Sequence, residues 1–213
     1  MCQQSIWQVL GLQHVTLYLM AKLHFRYAAM NAGKSTALLQ VAHNYESLDK
    51  RMMLVKPAVD LKGGARIVSR LGVESPVDFL WADGVELPVE GADLDVILVD
   101  EAQFLTPHQA DALLDIAVRV GVTVIAYGLR TDFRGDSFPG AARLLCIAHE
   151  IEEIRTLCRC GSKATMNLRR VDGVPVFAGN QVAIDDGTVE YESVCAKCHA
   201  RYREEAGAEA AWG

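Results

Sequence analysis

"RYAAMNAGKST", residues 26–36, joins a run of β-formers to a run with helical spacing. It ends as a phosphate-binding loop ends, with Gly33, Lys34 and Ser35 in the order of G-x-x-x-x-G-K-[ST]. It begins with Ala28 where that pattern has its first glycine. The preceding "KLHFRYAA" (22–29) is rich in β-formers. The following "STALLQVAHNYESLDK" (35–50) places apolar residues at 38, 39, 41, 42, 45 and 48, a helical spacing. Strand, loop and helix in that order are the context the motif needs. Amides at a helix N-terminus point outward, and the helix dipole favours an anion there. Gly33 lets the backbone approach a phosphate, Lys34 reaches the β- and γ-phosphates, and the Ser35 hydroxyl suits Mg²⁺. Alanine at 28 costs some freedom in the turn without blocking the later amides.

The second element is "DLDVILVDEAQF" (93–104). Its uninterrupted apolar run, Val96 to Val99, suits a strand buried on both faces. Asp100 at its end is placed to help hold Mg²⁺, directly or through water. Glu101 follows at the C-terminal end of the strand, where ligands sit in open α/β sheets. A carboxylate there can take a proton from an attacking hydroxyl or water.

The remaining chain reads as further strands and helices. "RMMLVK" (51–56), "VDFLW" (77–81), "VTVIAYG" (122–128) and "IEEIRTL" (151–157) are expected strands, and 57–75 is expected to be a loop. "TPHQADALLDIAVRVG" (106–121) is an expected helix with Thr106 as N-cap, Pro107 in the first turn and Gly121 as its stop. "FPGAARLLCIAHE" (138–150) is a second. The alternation implies an α/β fold, a parallel sheet flanked by helices; joined to the phosphate loop and the acidic strand end, the expected fold is of the P-loop NTPase, RecA-like kind.

The chain of 213 residues is 51% hydrophobic and carries a net charge of −6. That balance argues against a nucleic-acid partner, and no apolar run reaches membrane-spanning length. Residues 1–19 carry no Lys or Arg, so they lack the basic start of a secretory signal. They read as an extension outside the fold, with Met20 as the natural start and the cytoplasm as the expected location. The expected phosphate-loop domain is 20–157, followed by a small metal-held subdomain at 158–204 and a disordered tail at 205–213.

Of six cysteines, four form two close pairs, Cys158-x-Cys160-Gly and Cys195-x-x-Cys198. Without a secretory signal, such pairs read as metal ligands rather than disulfides. A Cys₄ set suits structural Zn²⁺. His199 is an alternative to Cys198 as fourth ligand.

"YxxMNAGKST", "LVDEAQFL", "YGLRTDFRGDSF" and the cysteine pairs resemble the type II, zinc-containing thymidine kinase family, its bacterial branch above all. The resemblance runs from about Met20 to Tyr202, and that family does not require the leading glycine. It implies transfer of the ATP γ-phosphoryl group to the 5′-hydroxyl of thymidine or deoxyuridine, in nucleotide salvage. It assigns Ala28, Ala29, Met30, Asn31, Ala32, Gly33, Lys34, Ser35 and Thr36 to the phosphate loop. Asp100, Glu101, Ala102 and Gln103 join them around ATP and Mg²⁺, with Glu101 as general base. Phe104, Leu129, Phe133, Phe138, Val182, Ile184 and Tyr191 would enclose the nucleoside. On sequence alone Phe133 and Phe138 fill core, and Arg134 is as well read as a surface arginine as a phosphate contact. Members are typically tetrameric and inhibited by dTTP. This chain departs from the family at Lys62, where members often carry Arg, and at Asp185 and Asp186, which replace two glycines. The competing reading is a P-loop ATPase acting on nucleic acid with a zinc module, since "DEAQ" also fits helicase motifs. That reading normally requires two ATPase modules, and the chain has room for one.

Overall fold

The computed structural model describes residues 21–60, 63–182 and 188–207. The expectations for 1–19, Lys62, Ile184, Asp185 and Asp186 lie outside them. Six parallel strands form the main sheet: β1 (Leu23–Ala28), β2 (Met52–Pro57), β5 (Phe79–Trp81), β6 (Val96–Val99), β7 (Thr123–Leu129) and β8 (Glu150–Glu153). Their spatial order is β5-β2-β6-β7-β1-β8, and every neighbouring pair runs parallel. All six C-terminal ends therefore share one edge. The loops after β1 and β6 meet there, separated only by the end of β7.

Side-chain alternation divides the core between two faces. Ile97, Val99, Val124 and Ala126 face α2 (Pro107–Asp115) and α3 (Pro139–Ile147), packing with Ala110, Leu113, Ala141 and Leu144. Val96, Leu98, Ile125 and Tyr127 face α1 (Lys34–Glu46) through Leu38, Leu39 and Ala42. Thr106 caps α2 with a full capping box: its hydroxyl accepts from Gln109 N, and the Gln109 side chain accepts from Thr106 N. The helix continues as a π-helical turn, Ile116–Val120, and stops at Gly121 with φ 81°.

Two expectations are corrected. The segment 57–75 is not all loop: β3 (Arg66–Val68) and β4 (Glu74–Pro76) form an antiparallel hairpin that buries Ile67 in the α1-side core. The single strand expected at 151–157 is two. Glu150–Glu153 extends the main sheet beside β1, while β9 (Thr156–Leu157) pairs with β10 (Lys163–Ala164). At this point the chain leaves one sheet for the next.

Beyond it, β11 (Met166–Val171) lies between β12 (Val174–Val176) and β13 (Val189–Val194) in an antiparallel sheet. The helix α4 (Ala196–Glu205) follows. Cys158, Ala164, Met166, Leu168, Val194 and Cys195 form a separate small core. Among the described residues no helix is long and apolar enough to cross a membrane.

Candidate active site

The phosphate loop leaves β1 at Ala28, which is buried and is not among the residues with positive φ. The backbone needs its left-handed turns later, at Asn31 (φ 64°) and Gly33 (φ 84°). Alanine at 28 is therefore ordinary strand backbone, and the missing glycine costs nothing. Gly33 caps α1 in a conformation that favours glycine. Met30 through Thr36 line a cleft of about 660 Å³, with Ala37, Gln40, residues 68–71, Glu101, Leu129, Ile154 and Thr156 completing its wall. Ala28 and Ala29 lie buried behind it.

The two sequence elements converge at a hydrogen bond. Ser35 Oγ donates to Asp100 Oδ2 at 3.1 Å. Asp100 is buried, and its Oδ1 has no hydrogen-bond partner. Burial, and then the charge of Glu101, push its carboxyl up to about 7. A buried carboxylate oxygen left unsatisfied beside a serine hydroxyl is what a hard divalent cation fits.

Glu101 has left-handed backbone (φ 48°, ψ 39°), strained for a non-glycine residue by about 1–2 kcal/mol. The turn starts a 3₁₀ segment, Ala102–Phe104, and brings Gln103 back against its own neighbour. Gln103 Nε2 donates to Glu101 Oε2 at 2.6 Å, while Gln103 Oε1 accepts from Leu129 N at 2.9 Å. A Cβ at Gly128 would lie 3.0 Å from both Gln103 N and Oε1. The glutamine amide thus lies against bare backbone and holds the Glu101 carboxylate from below.

The residues assigned to the nucleoside are only partly gathered. Leu129 lines the cleft with Glu101. Phe104 meets Phe138 edge-on at 5.6 Å, and Phe138 is buried in the main core. Phe133 is 1% exposed, with the Arg169 guanidinium 3.7 Å from its ring centroid. Arg169 also donates to the carbonyls of Ala178 and Asn180, both at 2.8 Å. Val182 is exposed. Tyr191 lines a second cleft of about 410 Å³ beside Asn31 and Arg70. Arg134 is half-buried rather than free in solvent. It pairs with Asp132 and Asp136 and donates to the carbonyl of Gly179.

The sulfur atoms of Cys158, Cys160, Cys195 and Cys198 all lie within 4.8 Å of one another, with Cys160 and Cys195 at 3.6 Å. Tetrahedral zinc with ~2.3 Å bonds sets sulfurs about 3.8 Å apart, so the donor set fits. The Ser162 backbone and then its hydroxyl pull the Cys160 thiol down to about 6, while the hydrogen bonds that the Cys198 thiol gives to Cys160 and Cys195 push it up to about 12. His199 is not a fourth ligand: it is buried, with Nε2 2.9 Å from the carbonyl of Phe133 and its ring edge-on to Phe177.

Sequence reasoning passed over several buried polar groups, Lys56, Asn167 and Arg169 among them. Lys56 is nearly inaccessible at the end of β2, pairs with Asp60 at 2.9 Å and donates to the carbonyl of Gly64. A lone lysine ending the apolar run Met52–Val55 was the available signal. Asn167 and Arg169 offered none, because β11 reads as a short polar strand.

The thymidine kinase family pattern matches residues 21–199. The chain belongs to the thymidine kinase family. A thymidine kinase of Chromobacterium violaceum is 49% identical over 84% of this chain and 98% of its own. That of Idiomarina loihiensis is 46% identical over 84% and 95%. That of Legionella pneumophila strain Lens is 44% identical over 88% and 92%. A solved Bacteroides Pif1 bound to ssDNA overlays with TM-score 0.36 and 19% identity, over 67% of this chain and 40% of that one, too slight a likeness to bear on function. As a member of the thymidine kinase family the chain is an ATP-dependent kinase, a phosphotransferase whose acceptor is thymidine.

Proposed function

We infer that the cleft between the phosphate loop and Glu101 is where the γ-phosphoryl group of ATP passes to the 5′-hydroxyl of thymidine, giving dTMP for nucleotide salvage. The observation that carries this reading is the Ser35–Asp100 hydrogen bond, with Lys34 and Glu101 lining the same cleft. The amides from Asn31 to Ser35 and the α1 dipole receive the phosphates, and Lys34 spreads charge on the transferring group. Ser35 and Asp100 would hold Mg²⁺, which when bound neutralises charge on the β- and γ-phosphates. Glu101 accepts the 5′-hydroxyl proton as the new O–P bond forms, and the bond from γ-phosphorus to the ADP oxygen breaks in line. Gln103 orients the Glu101 carboxylate rather than binding nucleotide. Leu129 borders the acceptor side of the cleft. Phe133, stacked on Arg169, and Phe104, edge-on to Phe138, are read as packing, and the Tyr191 carbonyl meets the phosphate loop at Asn31.

The four cysteines are read as a structural zinc site within a lasso unit at 158–204, distinct from a kinase unit at 20–157. Tetrameric assembly, inhibition by dTTP and a cytoplasmic location are the family properties proposed with it. Incubation with Mg-ATP and a panel of nucleosides tests the reading. It predicts a monophosphate from thymidine, with deoxyuridine the next candidate acceptor. ATP turnover stimulated by DNA and indifferent to thymidine would overturn it.

A further inference from the structure

The phosphate loop is gripped by the cysteine-bearing half of the chain. The Met30 N–H donates to Asn167 Oδ1 at 2.7 Å, and the Met30 carbonyl accepts from Ser193 Oγ. Asn31 Nδ2 reaches back to the carbonyl of Tyr191 at 2.7 Å. Asn167 on β11 and Ser193 on β13 are directly opposed across their sheet, so one cross-strand pair takes both backbone polar groups of a single loop residue. Both side chains are buried. Asn167 is also fully engaged, because its Nδ2 donates to the carbonyl of Thr131 at 2.7 Å, in the loop after β7.

The gripped residue precedes the two left-handed positions, Asn31 and Gly33. Amides converge on a phosphate only while such turns are held, and holding them costs free energy that the surroundings must supply. Neither β1 nor α1 makes these contacts. We propose that Asn167 and Ser193 are positioning residues of the phosphate loop, through which the β11–β13 sheet presets the nucleotide site.

This inference rests on the loop being the ATP site, and equilibrium binding of labelled Mg-ATP to the full chain separates the two ideas. Wild-type protein that fails to bind ATP removes both. With wild-type binding established, Ser193→Ala should bind ATP about tenfold more weakly, the worth of one buried hydrogen bond. Its KM for thymidine should stay within twofold, because the Ser193 hydroxyl donates to the Met30 carbonyl and the substitution leaves the Asn167 bond to the Thr131 loop in place. Ser193→Thr, which keeps the hydroxyl, should recover ATP affinity; a general packing defect would not be rescued this way. Asn167→Leu should weaken ATP binding further and also raise the KM for thymidine, since it frees the Thr131 loop. Folded Ser193→Ala protein with wild-type ATP affinity would overturn the proposal. Should Asn167→Leu fail to fold, the Ser193 pair alone decides.

Discussion

At Asp100, burial and a neighbouring charge act in the same direction. The carboxyl keeps its proton in the folded chain up to about 7, against an ordinary 3.8. Between those values the folded state binds more protons than the unfolded, so stability falls as pH rises through that window, by something on the order of a few kcal/mol. Urea denaturation of magnesium-free protein, its cysteine site left loaded, at pH 5 and pH 8 should show that loss, and Asp100→Asn should largely abolish it. An unchanged pH dependence in the variant would remove Asp100 as its source. Lys34 has a different task, so Lys34→Ala should cost at least ~2.7 kcal/mol of transition-state stabilisation, about a hundredfold in kcat, read by steady-state kinetics. Lys34, Ser35 and Asp100 were legible as candidates because short motifs beside apolar runs mark them, and the Ser35–Asp100 hydrogen bond joins the two motifs. The work of Gln103 was not, because it depends on the bare backbone of Gly128, brought close only by the fold.

Among the elements, α3 shows how closely the scaffold is fitted to the site. A Cβ on Gly140 would stand 2.4 Å from the carbonyl oxygen of Leu105 and 2.9 Å from that of Ala102. The helix thus presses directly on the turn that carries Gln103. Gly140→Ala should cost about 1–3 kcal/mol in urea denaturation and lower kcat as well, by shifting that turn. A stable variant of normal kcat would show that α3 can move away freely. Thr106→Ala should cost about 1 kcal/mol of stability through its lost cap, with activity nearly unchanged. The α2 start was plain in the sequence, since Thr106 and Pro107 mark the cap and first turn locally; the part of Gln109 in the capping box emerged only from the structure. The π-helical turn at its end was not, nor was the β3–β4 hairpin. Within the two strands of that hairpin only Ile67 is buried, too little to set an alternating pattern.

For the whole molecule, the parallel sheet and the cysteine cluster both followed from sequence, one from alternating elements and the other from paired spacings. What did not follow is how the second half docks on the first. Contacts such as Asn167 with Met30 and Arg169 with Phe133 join segments far apart in sequence and carry no local signature. Metal analysis should find about one zinc per chain, and chelation should lower the thermal midpoint; a zinc-free preparation of equal stability would dismiss the metal's structural role. The central claim is that Glu101 and the phosphate loop act on one bound ATP. Its most direct test follows the label from γ-³²P-ATP into thymidine, in wild type and Glu101→Gln, with ATP affinity measured on both. Wild type should give labelled dTMP, while the variant binds ATP nearly as well and transfers at least ~100-fold more slowly. Label transfer by Glu101→Gln at the wild-type rate would contradict the account.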